Sequence, residues 1–114
     1  MPDCLFCKMV SGQIKPDIVF ENDHVLAFRD IHPQAPVHVL VIPKKHIPTL
    51  DELSAEDGSI AAELLQAVRK VAVLEQIDTE GYRTVINCRA NAGQEVYHLH
   101  AHVLGGRRMH WPPG

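Results

Sequence analysis

The sequence predicts an α+β fold built on a mainly antiparallel sheet. Two observations carry that prediction. Several short β-rich runs are joined by tight turns, and one long amphipathic stretch is available to cover them. "IVFEN-DH-VLAFRD" (Ile18–Asp30) is two such runs around a polar turn, which reads as a hairpin. "VHVLVIP" (Val37–Pro43) is β-branched, apolar and bounded by Pro36 and Pro43, so it reads as a buried strand. Ser54 opens the long helix, with Asp57 three residues on in the capping-box place. Ile60, Leu64, Ala67, Val68, Val71 and Leu74 follow helical spacing, while Glu63, Gln66, Arg69 and Lys70 fall off that stripe. "GYRTVINC" (Gly81–Cys88) is a further strand, "RANAGQE" a loop in which Gly93 permits unusual backbone shapes, and "VYHLHAHVLGG" (Val96–Gly106) the last strand. "CLFCKMVSG" at the start predicts a short helix, and "WPPG" at the end fits neither helix nor central strand.

The 114 residues form a single domain, 1–114, long enough for a real core. Eleven Lys and Arg against fourteen Asp and Glu give a net charge of −3 with no run of either sign. That balance argues against a nucleic-acid backbone binder and leaves room for a small anionic ligand held by a few N–H groups. No segment approaches the roughly 20 apolar residues of a membrane span. The N-terminus lacks the pattern of a signal peptide, so the chain reads as cytoplasmic. Its three cysteines then read as thiols or metal ligands rather than a disulfide framework.

The densest chemical signal is His98-Leu99-His100-Ala101-His102-Val103. On a strand the three histidines share one face and the apolar residues the other. Neighbouring histidines lie roughly 6.6 Å apart and the outer pair about 13 Å, so two can converge on one ion or phosphate while all three on one zinc would be strained. Imidazole serves both as metal ligand and as acid/base near neutral pH, and the spacing alone leaves both open. His38 lies inside an apolar strand, where a neutral core histidine and a site residue are equally good readings. Cys4 and Cys7 have zinc-ligand spacing. Cys88 reads as a strand thiol with no role.

At His98–Leu104 the sequence resembles the histidine-triad (HIT) family. "FRDIHPQAPVHVLVIPKKHI", "GYRTVIN", "AGQEVYHLHAHVLGGR" and "MHWPPG" look like its Hint branch of nucleotide-binding proteins. The resemblance implies a five-stranded antiparallel sheet with one long and one short helix, and a homodimer that joins two sheets into a continuous one. It also implies hydrolysis of the P–N bond of purine nucleoside 5′-monophosphoramidates, of the adenosine 5′-phosphoramidate or lysyl-AMP type. In the family pattern His100 attacks the α-phosphorus, with its other ring nitrogen donating to a nearby backbone carbonyl. His102 contacts the phosphate and leaving group, His38 buttresses the triad, and His98 is the first triad member. Asn87, Gly93 and Gln94 match positions near the phosphate, and Asp30 suits ribose hydroxyls. Phe6, Ile14 and Ile31 wall the base pocket. Trp111 sits in a tail, about 105–114, that crosses toward the dimer partner. Glu95 departs from members that carry a phosphate-binding serine there, and a carboxylate at that place bears on leaving-group preference. The resemblance further implies that Cys4, Cys7, His46 and His98 hold a structural zinc ion. Two rival functions are dinucleoside polyphosphate hydrolysis and non-enzymatic nucleotide binding or scaffolding.

Overall fold

Alternation of apolar residues on the strands gives the sheet two buried faces, and each face has its own cover. The computed structural model describes residues 3–114. Its elements are α1 (Leu5–Val10), β1 (Ile18–Glu21), β2 (Val25–Arg29), β3 (Val37–Pro43), α2 (Gly58–Leu74), β4 (Tyr82–Val85) and β5 (Ala101–Gly105). Short 3₁₀ turns lie at Leu50–Glu52, Ala55–Asp57 and Ala90–Ala92. The strands form one sheet in the order β1-β2-β3-β5-β4, antiparallel at every pairing. The expected α+β class, the hairpin, the buried strand and both helices are present.

Val25, Ala27, Val39, Val41, Ala101 and Val103 face α2, which meets them with Leu64, Ala67, Val68, Val71 and Ala72. The long helix enters through the 3₁₀ turn after Ser54. There the Asp57 carboxylate accepts from the Ser54 backbone N–H and hydroxyl, both at 3.1 Å, and from Lys45 at 2.7 Å. These bonds, Lys45's first, hold the Asp57 carboxyl below its usual range. Leu26, Phe28, Leu40 and Ile42 point the other way and are covered by Phe6 of α1. Six residues make no stable helix in isolation, so α1 depends on that packing and on the ties described below. Gly105 closes β5 against Ile77, whose Cδ1 would lie 2.7 Å from any added Cβ, so this close approach of the sheet to the segment after α2 requires a glycine.

Two expected strands are shorter than the sequence pattern. The Gly81–Cys88 run pairs only over Tyr82–Val85, and Arg89 beyond it turns to φ 68°. The Val96–Gly106 run pairs only over Ala101–Gly105, so His98 and His100 precede the ladder. The backbone of this stretch bonds outside the ladder: Leu99 donates its N–H to the Ile47 carbonyl at 2.6 Å, and the His98 carbonyl accepts from the His100 ring. The alternation of faces still holds. Leu99, Ala101 and Val103 are in the α2 core, and the His98 and His100 rings meet Phe6 on the opposite face.

Candidate active site

Cys4 caps the N-terminus of α1, its Sγ accepting the Cys7 N–H at 3.3 Å, which turns both thiols to one side. They meet His46, from the segment after β3, and His98. The Cys4 and Cys7 sulfurs lie 3.4 and 3.5 Å from His98 Nδ1, Cys7 Sγ lies 3.2 Å from His46 Nδ1, and the two Nδ1 atoms are 3.2 Å apart. All four ligand atoms fall within 4.8 Å of one another. A tetrahedral zinc with ordinary bond lengths sets edges of about 3.3 Å between nitrogens and about 3.6 Å between nitrogen and sulfur. The donor set therefore fits a closed Cys₂His₂ centre in both chemistry and spacing. His98 Nε2–H donates to the Pro43 carbonyl at 2.7 Å, which leaves Nδ1 bare toward the cluster. Burial above all lowers the His98 pKa to about 4, so the ring is neutral as a ligand must be. Burial, and Cys4 beside it, push the Cys7 thiol up. Two adjacent thiolates are stabilised by a cation between them.

The second cluster lies one step along the same stretch. His100 is buried with its ring edge-on to Phe6, centroids 5.1 Å apart. Its Nδ1–H donates to the His98 carbonyl at 2.7 Å. That bond assigns the lone pair to Nε2. Burial lowers the pKa of His100, opposed by the His98 carbonyl and by Asp30, so Nε2 is free at neutral pH. His102 faces His38 across the β3–β5 pairing, in which Leu40 stands opposite His102 and His38 opposite Leu104. The Gln34 backbone N–H donates to His38 Nδ1 at 3.0 Å, so His38 carries its proton on Nε2. That Nε2–H donates to His102 Nδ1 at 2.9 Å, which puts the His102 proton on its own Nε2. One backbone amide thus sets two tautomers in series. Asp30 Oδ2 lies 3.4 Å from His38 Nε2, and its Oδ1 accepts the His32 N–H. Burial lowers the pKa of His38, with Asp30 opposing. It lowers His102 to about 4, assisted by His100 and His38.

Other expected site residues are distributed around this core. Phe6 is buried against both His98 and His100. Ile14 and Ile31 are exposed, Ile31 at 86%. Asn87 lies just past β4 and Gly93 adopts the left-handed conformation at φ 79°. Gln94 is buried and Glu95 exposed in the turn that leads to the histidines. Trp111 is exposed, with the Arg83 guanidinium 5.9 Å from its ring centroid and Arg83 also donating to the His110 carbonyl at 2.9 Å. Gln34, which fixes the His38 tautomer through its backbone, carried no sequence signal, because any residue but proline supplies that N–H.

A HIT-domain sequence profile matches residues 11–109. The chain belongs to the HIT family. It is 54% identical over 112 residues to an uncharacterized HIT-like protein of Synechococcus elongatus, covering 98% of this chain and 97% of that one. It is 45% identical over 107 residues to the purine nucleoside phosphoramidase of Escherichia coli, covering 94% and 90%. Among solved structures, a HIT family hydrolase from Legionella pneumophila is 51% identical with a TM-score of 0.96, covering 98% of this chain and all of that one. A histidine triad protein from Clostridium difficile is 40% identical with a TM-score of 0.92, covering 96% and 95%. Their HIT fold is the fold described above.

Proposed function

We propose that this HIT protein is a purine nucleoside phosphoramidase that works through a nucleotidyl-histidine intermediate on His100. The observation that carries the reading is the bond from His100 Nδ1–H to the His98 carbonyl, which leaves a buried, neutral Nε2 as nucleophile. The 45% identity to the E. coli phosphoramidase supports the substrate class.

In the proposed reaction Nε2 of His100 attacks the phosphorus, the P–N bond breaks, and the nitrogen takes up a proton from solvent and leaves as the amine. Water then attacks the nucleotidyl-imidazole and releases the nucleoside monophosphate. His102 presents Nε2–H to the phosphate and the leaving nitrogen. The His38 bond and burial keep that ring neutral, so its first contribution is a fixed hydrogen bond to developing charge. Backbone N–H groups after Gly93, with Asn87, add to the phosphate cradle. Asp30 meets the ribose, Phe6, Ile14 and Ile31 the base, and Glu95 the leaving group.

Cys4, Cys7, His46 and His98 would hold a structural zinc, which supplies a closed crosslink and no open coordination position. A homodimer completes the reading. β4 is the last strand of the sheet, and Arg83 on it holds the Trp111 tail.

The test is turnover of adenosine 5′-phosphoramidate by wild type and His100→Ala, beside a diadenosine polyphosphate. The expected result is preference for the phosphoramidate, a loss of more than about 10³-fold in the variant, and AMP binding largely retained by calorimetry. Retained turnover in the variant would overturn the nucleophile, and preference for the polyphosphate the substrate class.

A further inference from the structure

Gln94 sits in the turn between β4 and β5, and at 8% exposure it is the turn's buried side chain. Its amide is occupied on both sides. Oε1 accepts the Arg89 N–H at 2.8 Å, and Nε2 donates to the Pro48 carbonyl at 2.9 Å and the Val96 carbonyl at 3.1 Å. An amide nitrogen has two hydrogens, and both are in use. A phosphate accepts hydrogen bonds and offers few, so it needs donors, and this side chain has none left for it.

The three groups bound are the two ends of the turn and a separate segment. Arg89 and Val96 bracket the turn, and Pro48 belongs to the stretch after β3, two residues beyond His46. The turn's backbone is unusual at two places. Arg89 holds φ 68° without being a glycine, and Gly93 holds φ 79°. A left-handed non-glycine residue persists only where its surroundings over-determine it. Here the Gln94 side chain holds the Arg89 N–H while the Gln94 backbone N–H donates to the Arg89 carbonyl at 3.1 Å. One residue therefore grips both peptide groups of Arg89. The exposed Arg89–Asp51 ion pair, 2.8 Å, ties the turn to the same segment from outside.

We propose that Gln94 is a positioning residue: its side chain clasps the 89–96 turn to Pro48 and so fixes the backbone N–H groups that meet the substrate phosphate, without touching the phosphate itself. The inference rests on the reading that this turn cradles the phosphate, and it assigns the side chain a different task from the ligand contact its sequence position suggests.

The experiment uses Gln94→Ala and the milder Gln94→Asn, which keeps the amide but shortens its reach. Amide hydrogen exchange is followed in the absence of substrate. Turnover is then measured on two adenosine 5′-phosphoramidates, one with a good and one with a poor amine leaving group. The expected result is exchange at least tenfold faster across residues 89–96 with β2 and β3 unchanged. The loss in kcat/KM should be the same factor, about 10- to 100-fold, for both substrates. A loss that differs strongly between leaving groups would mean direct contact and overturn the clasp. Unchanged exchange in the turn would also overturn it. Should Gln94→Ala fail to fold, Gln94→Asn gives the same two readouts. Wild type with no phosphoramidase activity would sink the proposed function instead, and the exchange arm would still decide the clasp.

Discussion

Two histidine pairs in this molecule make almost the same contact and support opposite chemistry. His46 and His98 bring ring nitrogens to 3.2 Å, and His38 and His102 to 2.9 Å. At His98 the bare Nδ1 faces three atoms at once, two sulfurs and a nitrogen from separate parts of the chain. At His38 the Gln34 N–H takes one nitrogen, and on the other side Nε2 faces His102 Nδ1 at 2.9 Å with Asp30 Oδ2 beside it at 3.4 Å. The first arrangement converges on a point and suits a cation. The second is a line along which proton positions are passed. The difference lies in what the remaining nitrogen does, because that bond decides which lone pair is left over.

The comparison breaks first at the convergent pair. Metal removal by a strong chelator, or Cys7→Ser, is expected to lower the melting temperature by roughly 10 °C or more, since ligand binding energy here is folding energy. Thermal scans with matched metal analysis check this, and a chelator-insensitive transition in protein without bound zinc would contradict it. Next is the linear pair. His38→Ala frees His102 to change tautomer and orientation, and kcat should fall about 10²-fold while bound metal stays the same. Loss of metal in that variant would show that the two clusters are one unit. The smallest effect is acid sensitivity. His102 is held at about 4, by burial first, among His38, His100 and Asp30, and His38 is lowered too. The unfolded chain takes up these protons near the ordinary value of ~6.5, so the folded state loses stability as pH falls from there toward 4. A drop of roughly 5 °C in melting temperature between pH 7 and 5 is expected, shrinking in a His38→Gln, His102→Gln double variant. An unchanged drop would assign the acid sensitivity to other groups.

Much of this was legible from residues alone, for reasons that differ between regions. Val37–Pro43 and the Ile60–Val71 stripe report burial directly, because apolar spacing is a property of each element by itself. Leu74, expected on that stripe, lies at the helix end and is 48% exposed, while Ala72 is buried. The shared face of His98, His100 and His102 was legible for the same reason. What period two cannot tell is whether extended chain is also paired, and the ladder begins only at Ala101. The His38–His102 contact depends on the β3–β5 register, which no single strand encodes. Gln94 stands as a polar residue in a polar loop, and only the folded chain shows that its amide is enclosed by three backbone groups.

The strand order has a consequence for how such a chain comes into being. β5 is the last strand synthesised, yet it lies between β3 and β4, and β4 pairs with no other strand among the described residues. A growing chain that has reached Cys88 therefore holds β4 without its neighbour. It also holds Cys4 and Cys7 without His98, which lies 94 residues beyond Cys4. Closing so long a loop carries an entropic penalty that grows only slowly with length, so the wait is for His98 to exist rather than for the chain to find it. The segment that completes the sheet is the one that brings His100 and His102. A nascent or truncated chain that stops short of His98 lacks an inner strand of the sheet and the histidines that β5 and its lead-in bring to both clusters, so the sheet and the two clusters are completed by one segment.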